Sequence, residues 1–566
     1  MSVTISVRKS EILLSIPVAD QMLSGIPDFC QKLRKADTFG CSIRFLPEVL
    51  AKYRPNVSVD KLPDLSKRIY KHEMQRREYS DEYKHGEYPE VDNASLWEHQ
   101  RRGVALARVN SRYAFFYDTR TGKTRMAYQI ISEAIKDGRV DKAVVFVPSS
   151  IIPDWLSDAK EFPELTVAAY YKDAKTKEAT KSTKYTVLLM SIEIAVNSAD
   201  YLKQCNFNMC FFDESSKLKS HRTQISKYMV EYAKTVEYFY LLSATPAPNG
   251  YHEYYTQMRC IDPYIFPQAR CHFVEKYFNN RSRNPNYEML SIKPEKKKEF
   301  EALLEQYAIY VDQKVMPVAA KKFIAAQYTL DSSVRKLYDK MCREMSLEIN
   351  GETITVDMAT SIRNKLQQIT SGFIINTDAV KHNQQVAYLH TGELVNTIEK
   401  IPEGSKKRLE AMKAIFAIHG YHEKYVIWAN YRQEFTDIGD WLYSEGISFG
   451  VLNGETTTEQ KEAIVESFKH GTTQVIICHP LSVGMGKNFT ESHIAIYYSL
   501  TDSWEAFKQS SERIAGHINI QPHDCLYYIL LAQDTIDELI WSNISNKRDQ
   551  SYGLLKHLQS HSMSTI

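Results

Sequence analysis

The chain has 566 residues, of which 43% are hydrophobic, 25% charged and 11% aromatic, with 21 Gly and 19 Pro. That composition excludes a collagenous, low-complexity or wholly disordered chain, and at roughly 100–200 residues per domain the length accommodates three or four domains. Lys and Arg number 71 against 69 Asp and Glu, a formal net charge of +2. A uniformly basic nucleic-acid coat is thereby excluded, but a basic groove on an otherwise acidic body is not.

The opening segment MSVTISVRKSEILLSIPVAD is interrupted by Arg8, Lys9 and Glu11. It reads as a strand or hairpin, not as a signal peptide, which needs an unbroken apolar stretch. No later run reaches the 18 or so apolar residues of a membrane span. The nine cysteines are scattered and contain no CxxC pair, a usage that fits reduced thiols in a cytosol-like compartment. An intracellular, cytoplasmic protein without a membrane segment is expected. Cys260, Cys271 and His272 have the wrong spacing for the common structural zinc sites.

Residues 1–90 form one compositional unit, closing on the charged stretch Lys67–His85, a polar helix or linker with opposite signs interleaved. From residue 91 short apolar runs alternate with turns and helical stretches: Tyr113–Tyr117, Ala143–Val147, Thr186–Met190, Met209–Phe212 and Tyr238–Leu242. Continuous apolar strands of this kind belong to a parallel sheet covered on both faces. The rhythm stops near Pro267, and a helix-rich region follows, with Glu295–Gln306, Ser332–Glu348 and Ala359–Ile369 as its helices. Beyond Lys406 the alternation resumes in Tyr425–Trp428, Ser448–Leu452, Gln474–Cys478, Ile494–Ser499 and Leu526–Leu530. The expected fold is α/β: two P-loop lobes over residues 91–285 and 401–566, a helical insertion over 286–400, and a small N-terminal accessory domain over 1–90.

The chemistry concentrates in AFFYDTRTGKTRMAYQIISEAI. A buried strand enters a turn ending Thr121-Gly122-Lys123-Thr124, and an amphipathic helix leaves it. Backbone N–H groups at such a turn cradle phosphates, a lysine adds a point charge, and a threonine hydroxyl ligates Mg²⁺. The strict phosphate-loop pattern asks for Gly where Tyr117 stands, and a TGKT tetrapeptide alone also describes a surface turn. The strand–turn–helix context favours phosphate. An acidic partner is then required, and Met209–Phe212 delivers it about 90 residues later as Asp213 and Glu214. Asp213 is placed to hold the metal and Glu214 to polarise the attacking water.

These segments, with others in the same order, resemble superfamily-two helicases, and within them the Snf-type DNA translocases related to chromatin-remodelling ATPases. Leu96-Trp97-Glu98-His99-Gln100 resembles the adenine-reading Q motif, which assigns Gln100 to the base. Val147-Pro148-Ser149-Ser150 with Trp155 resembles motif Ia, and Met190-Ser191-Ile192-Glu193 motif Ib. Asp213 to Lys219 resembles the DEAH-type box, and Leu242-Ser243-Ala244-Thr245-Pro246 with Asn249 resembles motif III. In the second lobe, Val426–Tyr431 resembles motif IV, Ser482–Phe489 motif V, the stretch from Trp504 to Arg513 the entry to motif VI, and Asp534–Glu538 the closing "TIDE" helix. About 180 positions separate Thr245 from Val426, far more than an ordinary connection uses. The Snf-type branch, with protrusions between its lobes, is similar in this respect.

The resemblance implies ATP and Mg²⁺ as cofactors and an ATP hydrolase that moves along double-stranded DNA, remodelling it or migrating branches. Lys123, Glu214 and Arg513 are the catalytic candidates. Gln100, Thr121, Gly122, Lys123, Thr124 and Asp213 bind the nucleotide, with Thr124 and Asp213 on the metal. Ser149, Ser191, Lys217, Lys219 and Asn488 are the DNA-backbone candidates, and Ser243 and Thr245 couple the two activities. Lysines 172, 175, 177, 181 and 184, and the run Lys296-Lys297-Lys298, are further candidates for phosphate contact or for solvated faces. Two departures stand out: Arg120 where the family has Gly, and Gly516, followed by His517, where it has a second arginine. They leave open a nucleotide-gated DNA-binding or scaffold protein with little hydrolysis. The motor subunit of a restriction or defence complex is a further alternative. The modest size and drifted motifs point toward a viral or phage version in an infected cell's cytoplasm.

Overall fold

The structure is a computed structural model, and it describes residues 4–8, 11–15, 31–32, 38–42, 49, 64–171, 180, 184–282, 289–344, 346–349, 352–355, 359–376, 397–400, 406–480, 482 and 487–546. Lys172, Lys175, Lys177 and Lys181, and Val483 to Gly486 of the motif V segment, lie outside the described residues. The chain divides into two compact units at the Val315–Met316 junction.

In the first unit, Thr4–Arg8 and Glu11–Ser15 form the antiparallel hairpin expected of the N-terminus, extended by Thr38–Ser42 and Gln31–Lys32. The charged stretch that follows is a single helix, Asp64–His85. Its last turns are more than a solvated face. Ser80 and Lys84 are buried, and the Lys84 ammonium donates to the Glu305 carbonyl at 2.6 Å. Burial pulls its pKa down to about 8, against the opposing pull of Glu305 and Asp81.

Seven parallel strands make the sheet of this unit, in the order Ala308–Val311, Arg112–Tyr117, Tyr238–Leu242, Met209–Phe212, Ala143–Val147, Val187–Ser191 and Val167–Tyr170. The inner strands are buried at every position, as their unbroken apolar runs require when helices cover both faces. The two edges, Val167–Tyr170 and Ala308–Val311, are additions to the expected set. The second of them comes from the stretch read as a helical insertion. Beside the sheet, Phe266, Phe273 and Phe300 pack with ring centroids 4.8–6.1 Å apart. They fasten helices Arg270–Tyr277 and Pro294–Tyr307 to the core.

The second unit has six parallel strands in the order Lys321–Tyr328, Cys525–Ala532, Ile494–Tyr497, Tyr425–Trp428, Val475–Cys478 and Phe449–Leu452. Lys321–Tyr328 pairs along its whole length, from Lys321 opposite Cys525 to Tyr328 opposite Ala532. The stretch 286–400 therefore supplies an edge strand to each sheet, as well as the helices Ser332–Glu344 and Ala359–Thr370. Arg408, fully buried, joins these layers. Its guanidinium donates to the Tyr328 hydroxyl at 2.5 Å, the Ser371 hydroxyl at 2.6 Å and the Thr370 hydroxyl at 3.0 Å, and it pairs with Asp537. Among the described residues no helix is long and apolar enough to cross a membrane.

Candidate nucleotide and DNA site

The site begins where strand Arg112–Tyr117 ends. In open parallel sheets the carboxyl ends of strands are where ligands bind, because the loops there splay apart. The loop 118–122 turns sharply enough that Arg120 and Gly122 both adopt left-handed backbone angles, φ 62° and 73°. That geometry explains why the family favours glycine at position 120: a side chain there costs about 1 kcal/mol. The loop is tied internally by the Thr121 hydroxyl, which donates to the Asp118 carbonyl at 2.7 Å. Helix Lys123–Lys136 follows, capped by Gly122, and buries Met126, Ile130, Ile131 and Ala134 at helical spacing. The Lys123 ammonium folds over the loop, donating to the Tyr117 and Asp118 carbonyls at 3.0 and 3.1 Å.

Asp213, at the end of Met209–Phe212, is buried and lies close enough to Lys123 to feel its charge. Burial raises its pKa above the usual carboxyl range; Lys123, the Glu214 N–H and the Trp155 indole oppose that rise. The carboxylate accepts from the Glu214 N–H at 2.9 Å and from the indole N–H of Trp155 at 3.2 Å. Glu214 itself sits at φ 50°, a left-handed position that a non-glycine residue seldom holds outside a functional turn. The Thr124 hydroxyl and the Asp213 carboxylate offer oxygen donors only, a set that suits a hard divalent cation such as Mg²⁺. The cradle beside them is tight. A Cβ on Gly122 would lie 2.0 Å from Gln100 Nε2.

Gln100 is buried, and both ends of its amide are engaged. Oε1 accepts from the Trp97 N–H at 2.8 Å, and Nε2 donates to the Gly122 and Thr121 carbonyls at 3.0 and 3.4 Å. His99 reaches the same Thr121 carbonyl through Nε2 at 2.8 Å. Burial lowers the His99 pKa, against the opposing pull of the Thr121 carbonyl and Glu98.

The Ser243 and Thr245 side chains are buried, with the Thr245 N–H on the Ser243 hydroxyl at 3.1 Å. Their segment is linked to the acidic strand end through Gln257, which sequence reading missed. Ser215 donates to Gln257 Oε1 at 2.7 Å, and Gln257 Nε2 donates to the Pro246 carbonyl at 2.7 Å. The available signal was an amide at a buried position of the apolar helix Tyr254–Ile261. Ser149 and Ser191 are brought together by the Glu193 carboxylate. It accepts from the Ser149 N–H at 3.3 Å and from the Ser191 hydroxyl. Lys217 and Lys219 lie on and just past the short turn Ser215–Leu218, Lys217 exposed and Lys219 half-buried. Lys296 pairs with Glu299 at 2.8 Å and Lys297 with Glu301 at 3.8 Å, so that run is largely neutralised on its own helix.

Asn488 and Arg513 belong to the second unit. Asn488 is exposed. The Arg513 guanidinium donates to the Lys487 carbonyl at 3.1 Å, and its own carbonyl accepts from the Phe489 N–H at 2.8 Å, which ties the motif V and motif VI segments. Gly516 is buried, and its carbonyl accepts from the Ala319 N–H at 3.0 Å, while Val318 and His517 form an antiparallel bridge. His517 caps its own turn, accepting the Asn519 N–H on Nδ1 at 3.2 Å. It serves as local structure in the segment where the family carries its second arginine.

The SNF2-related domain family matches residues 60–375, and the helicase conserved C-terminal domain matches residues 407–516. The chain is 24% identical over 419 residues to "Chromodomain-helicase-DNA-binding protein 1-like" of Danio rerio, covering 71% of this chain and 38% of that protein. It is 22% identical over 443 residues to "DNA repair and recombination protein RAD54B" of Mus musculus, covering 73% and 49%. The chain thus spans less than half the length of either relative. Neither relative lends support to a viral or phage origin. Among solved structures it is similar to a "Sulfolobus solfataricus SWI2/SNF2 ATPase core in complex with dsDNA", at 15% identity and a TM-score of 0.36, covering 84% of this chain and 98% of that one. With more than half its length matched by one family and the remainder of the motif order by its usual companion domain, the chain belongs to the SNF2-related family.

Proposed function

We propose that this chain is a DNA-dependent ATP hydrolase of the intracellular compartment that couples turnover to movement along double-stranded DNA. The observation that carries the reading is the juxtaposition of Lys123, on a strand–turn–helix phosphate loop, with the buried Asp213 carboxylate. Membership in the SNF2-related family supports it.

In this reading the loop N–H groups and Lys123 hold the triphosphate, and Gln100, Thr121 and Gly122 shape the loop. Thr124 and Asp213 hold Mg²⁺, which when bound neutralises charge on the phosphate oxygens. Glu214 orients and polarises the attacking water. Arg513 is the positively charged group offered by the second unit. Ser149, Ser191, Lys217, Lys219 and Asn488 take the DNA backbone without reading base edges. Ser243 and Thr245, joined to Ser215 through Gln257, relay the state of the nucleotide to those contacts.

Turnover measured with and without duplex DNA tests the proposal. DNA should stimulate hydrolysis, and Lys123→Ala and Glu214→Gln should each abolish it. Gly516, engaged through its backbone alone, favours a second reading in which ATP tightens DNA binding with little hydrolysis. Wild-type protein that binds DNA more tightly with ATP, yet shows no turnover, would select it.

A further inference from the structure

The Q-motif resemblance assigns Gln100 to adenine, but its amide has nothing left to read with. Oε1 is taken by the Trp97 N–H at 2.8 Å, both Nε2 hydrogens point at loop carbonyls, and the side chain is 1% exposed. Turning it toward a base would break three hydrogen bonds and release both the loop and the residue that starts helix Glu98–Val109. Leaving buried polar groups unpaired is costly.

Trp97 stands differently. It is 42% exposed, one of the few large apolar side chains at this surface. One face of its indole stacks on the His99 ring at 5.8 Å between centroids and 29° between planes. His99 is buried and fixed to the Thr121 carbonyl, so the backing of the indole is rigid. The indole edge lies at the shoulder of the loop, 3.5 Å from where a Gly122 Cβ would stand. Gln100 therefore ties a rigid aromatic plate, through the Trp97 N–H, to the phosphate loop, through the Gly122 carbonyl.

We infer that the nucleotide base is held by stacking on Trp97 and is not read by Gln100, so the site takes purine nucleoside triphosphates without distinguishing ATP from GTP. The inference rests on the nucleotide-binding part of the proposed function and deepens it. A plate has no donor or acceptor pattern to match, and every base presents it a π-face. A site that hydrogen-bonds the base would reject the wrong one by orders of magnitude.

Equilibrium binding of ATP, GTP and inorganic tripolyphosphate to the full chain, in Mg²⁺, tests it. Wild type should bind ATP and GTP within about threefold of each other, because stacking alone does not discriminate. Trp97→Ala should weaken both by about tenfold and leave tripolyphosphate unchanged; Trp97→Phe should restore both. Gln100→Ala should weaken all three ligands together, through the loop, with the ATP-to-GTP ratio unaltered. A wild-type preference for ATP of about a hundredfold, erased by Gln100→Ala, overturns the inference. So does Trp97→Ala binding both nucleotides as wild type does. Binding without hydrolysis would sink the motor and leave this assignment standing; no binding of any triphosphate would sink both.

Discussion

The Ser215 hydroxyl donates to Gln257 Oε1 at 2.7 Å, beneath a turn whose neighbours are the candidate metal ligand and water-polarising acid. Because Gln257 Nε2 also holds the Pro246 and Glu253 carbonyls, one buried amide joins the acidic strand end to the segment carrying Ser243 and Thr245. Gln257→Leu keeps the volume and removes the join. It is expected to destabilise the first unit by about 2–3 kcal/mol, since a hydroxyl and two carbonyls lose their partner in the core. If the relay operates, nucleotide binding survives while stimulation of turnover by DNA falls at least about tenfold, some 1.4 kcal/mol in the barrier. Denaturant unfolding and turnover assays on one preparation separate the two effects.

Asp213 is a site where function opposes stability. A carboxyl whose folded pKa is raised stabilises the fold fully below its unfolded value, about 4, and that contribution is lost as pH rises through the folded value. At neutral pH the buried charge is thus a cost to the fold, and its cause is burial. Asp213→Asn is expected to raise Tm at pH 7, and the gain should shrink as pH falls toward 4, while turnover is lost at every pH. Thermal scans across that range check the sign.

Gly122 is constrained twice, by φ 73° and by Gln100 Nε2 2.0 Å from a would-be Cβ. Gly122→Ala should cost about 1–2 kcal/mol in backbone strain alone. By displacing Gln100 it should also weaken triphosphate binding at least about tenfold, or 1.4 kcal/mol. Titration with tripolyphosphate reads the loop directly.

Arg408 faces Asp537 and Glu434 in the buried interior of the second unit. Removing one partner of a buried ion cluster strands the others, so Arg408→Met is expected to cost about 3–5 kcal/mol. Chemical denaturation should show the loss.

Strands and the phosphate loop were the legible part of the sequence. Ala143–Val147, Met209–Phe212, Tyr238–Leu242 and Tyr425–Trp428 lie where unbroken apolar runs placed them, because central parallel strands are buried on both faces. The edge strands were not legible. Lys321–Tyr328 alternates exposed and half-buried positions along KKFIAAQY, and Val167–Tyr170 is only half-buried, so neither shows the continuous signal. In the site, residues that would touch ligand were visible by type and order. Gln257, Trp155 and Glu193 act on those residues through contacts 42, 58 and 44 positions apart, and no local pattern encodes such a distance. The committed amide of Gln100 was equally invisible, since the motif names the residue and not its partners.

Displacement of a third strand from a duplex track measures movement most directly. With wild-type chain and ATP the third strand should be released, at a rate that falls steeply as salt weakens phosphate contacts; Lys123→Ala should release none. Wild-type chain that hydrolyses ATP on the same duplex without releasing the strand would contradict the account.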